Sequence, residues 1–439
     1  IVQYGDNIYE SRNSAYEIRW FANKFPIVSP HLILLSYFDV PIMMTFNIII
    51  HFSLGFLGIL LWIKKLNLSI SSSIFLILIW SFNGFVVAEI GVGHLHSRSA
   101  YLLIPIFFWL IYQFIQGSNL VWRENIKNVI LFSLLIFFMK LNGNGQTVYQ
   151  FLFVGFVIIL FYPRRWFWYI GALVLSMLLM TFYIVPTLMF TDTMGGNRIM
   201  QYGYGTGPFD LVSMQWGLEK IFAYIFNIIY HLWVSLTVSF NASYDGQVIY
   251  NLYISLLGLI LLCCSSITFL IQIYKKKMTF NLRIFFAFCI ILILSFSNFS
   301  IEFHKLTFKY ISAYPLIDRQ PAYLAIYPLS LLFLIAALGF DNFFQIFPSK
   351  IIKSIKYVSL MMLLYFLLSH SYEWFIISTE SHAHLVLEEM QDVRVYSKVN
   401  ILNMPGDKNY INIVNMSYLF SFLISIILLF VLFLIRKKN

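Results

Sequence analysis

Between residues 42 and 435 the chain is a succession of apolar runs separated by short polar breaks. A helix needs about 20 predominantly apolar residues to cross the hydrocarbon of a bilayer. The runs 42–63, 70–88, 99–116, 128–140, 147–162, 167–190, 249–273, 281–298, 323–345, 355–377 and 417–435 meet or approach that length. A bilayer admits only structures that satisfy their own backbone, and runs of this length do so as helices. The sequence therefore predicts an all-α, polytopic transmembrane bundle of about eleven spans. The runs 128–140 and 147–162 are the shortest. Composition agrees: 60% of the 439 residues are hydrophobic and 11% charged, against about 25% charged in a soluble domain.

The breaks carry a second signal. If residue 1 lies outside, the inner breaks hold Lys64, Lys65, Arg123, Lys127, Arg164, Arg165, Lys275, Lys276, Lys277, Arg283, Lys350, Lys353 and Lys356, and the tail adds Arg436, Lys437 and Lys438. That is sixteen of the 29 Lys and Arg residues, against two nearby acids, Glu124 and Asp341. Cytoplasmic loops of membrane proteins collect positive charge in this way. The net charge of +10 is thus a topology signal spread along the chain, and a nucleic-acid-binding reading is rejected. Because residue 1 is Ile and falls outside, a further helix is expected before Ile1, making twelve. The outer segments are then 1–41, 89–98, 141–146, 191–248, 299–322 and 378–416. The apolar stretch 221–240 contains Asn227 and His231; it reads as an interfacial or re-entrant helix, because a single crossing there would invert the charge alternation.

Cys263, Cys264 and Cys289 all sit inside apolar runs, so neither a disulfide nor thiol chemistry is expected. No phosphate-binding loop, nucleophile elbow or dinucleotide fingerprint occurs. Charged residues avoid the centres of the runs, which argues against an ion-coupled transporter.

Five polar clusters remain, all in outer segments. Gly5-Asp6 opens a stretch containing Glu10, Arg12, Glu17 and Arg19. Asp6 could act as a general base there, or belong to a solvated loop. Glu89-x-Gly91-x-Gly93-His94-x-His96-x-Arg98 concentrates ionisable groups at a membrane boundary. Glu89, His94 and His96 together would suit a divalent metal ion. Arg98 with one imidazole would instead suit a phosphate, and an ordinary helix junction is the plain alternative. In Asn142-Gly143-Asn144-Gly145-Gln146-Thr147, Gln146 and Thr147 are neutral hydrogen-bonding groups fit for sugar hydroxyls, while the Asn-Gly repeats also describe a simple turn. Gly195-Gly196-Asn197-Arg198 could present backbone N–H groups and a cation to an anion. Asp318-Arg319-Gln320-Pro321 puts an Arg at headgroup depth, either on a lipid phosphate or merely snorkelling.

Taken in order, these clusters resemble the motifs of GT-C-type membrane glycosyltransferases, in particular the YfhO-like bacterial branch. The resemblance rests on Gly5-Asp6, on Gly93-His94 with Pro105, and on Gly143-Asn144-Gly145-Gln146-Thr147. It continues through Pro186 with Arg198, Tyr244-Asp245-Gly246, and Arg319-Gln320-Pro321. It runs from about Gly5 to Gly339. It departs where Ala322 and Tyr323 replace a second Arg after the last motif, and where the outer part of the C-terminal region shrinks to 378–416 plus one span.

The resemblance implies a catalytic module over 1–345 and accessory helices over 346–439. It implies transfer of a sugar from a polyprenyl-phosphate donor to a glycan, lipid or protein acceptor, at the extracytoplasmic face of a bacterial-type plasma membrane within the cell envelope. Asp6 would be the catalytic base. His94, Arg98, Arg198 and Arg319 would bind the donor phosphate, and Gln146 and Thr147 the sugar. The resemblance names no metal; a divalent ion on Glu89, His94 and His96 remains the alternative offered by those residues themselves. Two rival readings are a lipid-linked glycan transporter or flippase, and a non-catalytic subunit of a larger membrane complex.

Overall fold

The computed structural model describes residues 40–91, 99–116, 122–141, 145–189, 252–275, 282–295, 326–345, 347, 349–377 and 408–437. Among these residues all regular structure is helical. In chain order the helices are α1 Val40–Leu66, α2 Ile70–Ser81, α3 Gly84–Gly91, α4 Ile104–Gln116, α5 Trp122–Leu141, α6 Gly145–Leu160, α7 Trp166–Leu179 and α8 Thr181–Met189. They continue as α9 Ser255–Tyr274, α10 Leu282–Ser295, α11 Ile326–Phe344, α12 Ser349–Ile377 and α13 Lys408–Lys437. A 3₁₀ turn, Ser99–Leu103, leads into α4. Five stretches are long and apolar enough to cross a membrane: Thr45–Leu66, Ser255–Tyr274, Ile326–Phe344, Ile351–Glu373 and Asn415–Ile435. This is the make-up of a helical membrane protein. The stretch 221–240 lies outside the described residues.

Among the described residues, helices are found in every apolar run expected from the sequence, and three of the runs differ in form. The run 128–140 belongs to a 20-residue helix, α5. Its polar first turns are helical too, with Glu124 in the first and an exposed Lys127–Glu124 pair at 3.4 Å. The run 70–88 breaks after Ser81. There the Asn83 side chain donates to the carbonyls of Ile79 and Trp80, and its Oδ1 accepts from the Val86 N–H at 3.2 Å. One Asn thus ends α2 and caps α3. The run 167–190 breaks at Met180, six residues before Pro186. Proline lacks an N–H and its ring presses on the carbonyl four residues earlier, so a dislocation in this turn is expected.

The turn from α1 to α2 is closed in the ordinary way. Asn67 adopts φ 51°, and the Leu68 N–H reaches back to the Ile63 carbonyl at 3.1 Å. Asn is among the residues that accept this left-handed end. Ser69 then caps α2, its side chain accepting from the Ser72 N–H at 3.2 Å.

Small residues let the helices approach closely. A methyl group on Gly339 of α11 would overlap the Ser265 carbonyl of α9, and one on Gly55 of α1 would overlap the Leu102 carbonyl. Lipid supplies no hydrophobic drive for helices to associate, so close backbone packing matters more than in water. The α9–α11 and α1–α4 contacts are two of the main seams of the bundle. Around them Phe75 stacks on Phe340 with centroids 4.5 Å apart, and Phe107 meets Phe151 at 4.3 Å. A second, smaller core joins Phe137, Leu141, Leu179, Phe182 and Tyr183, with Tyr418 of α13 against it.

Contacts between successive helices give the bundle two ends. At one end Lys65 lies over Tyr112, Trp122 over Trp168 and Arg283 over Tyr162. At the other, Phe85 meets Tyr101, Tyr253 stacks on His370 at 4.1 Å, and Phe182 stacks on Tyr418. The first end carries the Lys- and Arg-rich breaks.

Candidate functional site

Most of the expected site residues fall outside the description: Asp6, His94, His96, Arg98, Arg198 and Arg319 are not among the described residues. Glu89 and Gln146 are placed by their helical backbones alone, in α3 and in the first turn of α6. Thr147 is fully buried, and its Oγ1 has no hydrogen-bond partner. Pro105 is the second residue of α4, where its missing N–H costs nothing, and its carbonyl accepts from the Trp62 indole at 3.1 Å.

What the structure does show is how the helices next to these motifs meet. Tyr101 follows Arg98 by three residues, in the middle of the 3₁₀ turn. Gln150 is one helical turn beyond Gln146 in α6. Tyr327 follows Arg319 by eight residues, as the second residue of α11. The Tyr101 hydroxyl donates to Gln150 Oε1 at 2.9 Å, and the Tyr327 hydroxyl donates to the same oxygen at 3.4 Å. All three side chains are buried. A buried amide accepting from two phenols is a costly arrangement to leave incomplete, so it fixes three helix starts against one another. Phe107, Phe108 and Phe151 pack around the Tyr327 ring and keep this network dry.

A narrow cleft runs beside the network. It is lined by Gly55 and Ile59 of α1, Asn83 and Phe85 at the α2–α3 break, Tyr101, Pro105, and Ile326 with Ser330 of α11. Its cavity volume of about 20 Å³ is room for one water, given that a water needs about 10–15 Å³ on this measure. Among the described residues this cleft is far smaller than a sugar. Its walls are neutral, with Tyr, Ser and Asn as the polar groups, and Asn83 is already committed to the caps of α2 and α3. Deeper in α1, His51 Nδ1 meets the Asn47 carbonyl at 2.8 Å and its ring packs on Phe138. Asn47 Nδ2 is buried without a hydrogen-bond partner.

The opposite end is built differently. Asp341, in the last turn of α11, receives Lys356 Nζ at 2.6 Å, the Ser71 hydroxyl at 2.8 Å and the Ser72 hydroxyl at 3.1 Å. The two serines stand in the first turn of α2, where a carboxylate also benefits from the helix dipole. This cluster ties α2, α11 and α12 together and presents no free group to a substrate.

Among the described residues no group of three His, Cys, Asp or Glu side chains could hold a metal ion. Cys263, Cys264 and Cys289 carry free thiols. Comparison of the chain with family models, curated proteins and solved structures finds no match in any of the three.

Sequence reading passed over Gln150, Tyr101 and Tyr327. Gln150 had a signal: it is an amide inside an apolar run, and polar groups at membrane depth tend to be functional. The two tyrosines had none, since Tyr at the start of a span reads as an interfacial anchor.

Proposed function

We propose that the chain is a GT-C-like enzyme of about eleven spans. In this reading it transfers a sugar from a polyprenyl-phosphate donor to an acceptor hydroxyl at the extracytoplasmic face. The observation that carries the reading is the convergence on Gln150. The helix starts that follow Arg98, Gln146 and Arg319 are locked together by one hydrogen-bonded network, at the end of the bundle away from the Lys- and Arg-rich breaks. Three segments far apart in sequence, those of Tyr101, Gln150 and Tyr327, meet there, and the charge asymmetry supports reading that end as the outer one.

The chemistry follows from the residue types. Asp6 takes the proton from the acceptor hydroxyl as its oxygen attacks the anomeric carbon. The bond from that carbon to the phosphate oxygen breaks, and its electron pair leaves on the phosphate. Configuration inverts in this single displacement. Negative charge grows on the leaving polyprenyl phosphate, where Arg98, Arg198 and Arg319, helped by His94, compensate it. Gln146 and Thr147 orient the sugar from the first turn of α6.

The test is sugar transfer by the protein reconstituted in vesicles with a short-chain prenyl-phosphate sugar. Asp6→Asn should remove nearly all turnover, by roughly 10²–10⁴-fold as expected for loss of a general base, while the melting curve stays that of the parent. Undiminished turnover in Asp6→Asn removes the base from the scheme. Headgroup movement across the vesicle with no new glycosidic bond would support a flippase instead. Stable co-purification with a larger complex and no intrinsic turnover would support a non-catalytic subunit.

A further inference from the structure

The turn from α6 to α7 and the start of α10 meet around one tyrosine. The Tyr162 carbonyl accepts from the Arg165 N–H at 2.8 Å, and the Trp166 indole reaches back to the Ile159 carbonyl at 2.9 Å. Pro163 opens the 3₁₀ turn Pro163–Arg165 between the two helices, where its fixed φ suits a tight bend. The turn therefore holds Arg164 and Arg165 on a set backbone. From the other side Arg283, the second residue of α10, lays its guanidinium over the Tyr162 ring, 5.8 Å from the centroid. Arg164 and Arg283 are exposed and Arg165 is half-buried.

Topology asks for positive charge on this side of the membrane but for no particular arrangement of it. Here the charge is gathered. A cation in the first turn of a helix opposes the helix dipole, yet Arg283 stands there, against an aromatic face. The segments that meet carry no acids of their own: no Asp or Glu occurs in residues 125–191 or 246–301. Glu124, brought to the start of α7 by the Trp122–Trp168 contact, lies 3.4 Å from Lys127. A guanidinium can rest on a ring by its face and bind a phosphate by its edge, through two parallel N–H···O bonds. Depth identifies what carries that phosphate. Trp166 is 43%, Phe167 70% and Tyr274 88% exposed, and aromatic girdles of this kind mark a membrane–water boundary. Cations among such residues stand at the level of lipid headgroups.

We propose that Arg165 and Arg283, with Arg164 beside them, bind the headgroup phosphate of an anionic phospholipid in the leaflet on the Lys- and Arg-rich side. The site lies at the opposite end of the bundle from the Gln150 network. It uses none of the residues assigned to sugar transfer, so either reading can fail without the other.

The test is native mass spectrometry of the whole protein released from nanodiscs of phosphatidylcholine and phosphatidylglycerol. The parent protein should retain phosphatidylglycerol over phosphatidylcholine. Arg283→Gln should lower that preference by about tenfold, the scale of one charge-assisted hydrogen bond. Arg283→Lys should keep only part of it, because a lysine supplies a point charge without the planar fork. Lys353→Gln removes an exposed cation of the same side from α12 and should leave the preference unchanged. An unchanged preference in Arg283→Gln overturns the proposal. So does an equal loss in Arg283→Gln and Lys353→Gln, since the attraction is then spread over the whole face. A parent protein without preference overturns it too, which keeps the proposal exposed even if Arg283→Gln fails to fold. Release of the bound phosphatidylglycerol by inorganic phosphate would assign the site to a soluble anion and overturn the lipid reading.

Discussion

Asp341 and Lys140 each carry a charge into a helical bundle, and they are treated in opposite ways. Asp341 has a cation at 2.6 Å and two serine hydroxyls, all supplied by the chain. Lys140 has two aromatic rings and no counter-ion among the described residues. The first arrangement is finished and holds helices together. The second, among the described residues, is a cation held against aromatic rings.

The comparison can be broken most forcefully at the seams beneath it. Gly339→Val should cost about 3 kcal/mol, at the upper end of typical overpacking, because it drives a side chain into the Ser265 carbonyl. Unfolding in mixed micelles would measure this. A loss below about 1 kcal/mol would mean that α9 and α11 do not approach as described. At the finished end, Asp341→Ala should cost about 2 kcal/mol, since Lys356 and two serines lose their acceptor. Both charged side chains are partly exposed, so the larger penalty of a fully buried pair is not expected. Asp341→Asn, which keeps a hydroxyl acceptor, should cost less.

At the motif end, Gln150→Leu should cost about 2 kcal/mol by leaving the Tyr101 and Tyr327 hydroxyls unpaired. Removing one donor with Tyr101→Phe should cost about 1 kcal/mol, and the two effects should not add, because they share one network. The smallest and most telling effect is at Lys140. Lys140→Met should leave stability unchanged or raise it by about 1 kcal/mol, because a charge buried against two rings is removed. Destabilisation comparable to that of Asp341→Ala would erase the contrast between the two ends.

The helices were legible because hydropathy alone dictates them: runs such as 255–274 have no other stable form in lipid. The break at Asn83-Gly84 was legible in principle, since Asn-Gly is a turn signal, but the apolar-leaning run 70–88 read as one span. The dislocation at Met180 likewise had its sign in Pro186. The Asp341 cluster was not legible. Its serines lie some 270 residues away in sequence, and only packing of α2 on α11 brings them together. Lys140 was misleading for a related reason. At the edge of a polar loop it reads as solvated, and its burial depends on Tyr183, delivered by a helix 40 residues later. The convergence on Gln150 has the same origin: each partner is ordinary in its own segment, and the meeting is a property of the fold.

The account depends most on the claim that the motif end faces outward and the Lys-rich end faces the cytoplasm. It is tested most directly by labelling single cysteines, introduced in a variant lacking Cys263, Cys264 and Cys289, with a membrane-impermeant maleimide on intact cells or oriented vesicles. Asp6→Cys, His94→Cys and Arg319→Cys should label from outside without permeabilisation, whereas Lys65→Cys and Lys353→Cys should label only after it. Labelling of Asp6→Cys and Arg319→Cys from opposite sides would contradict the account.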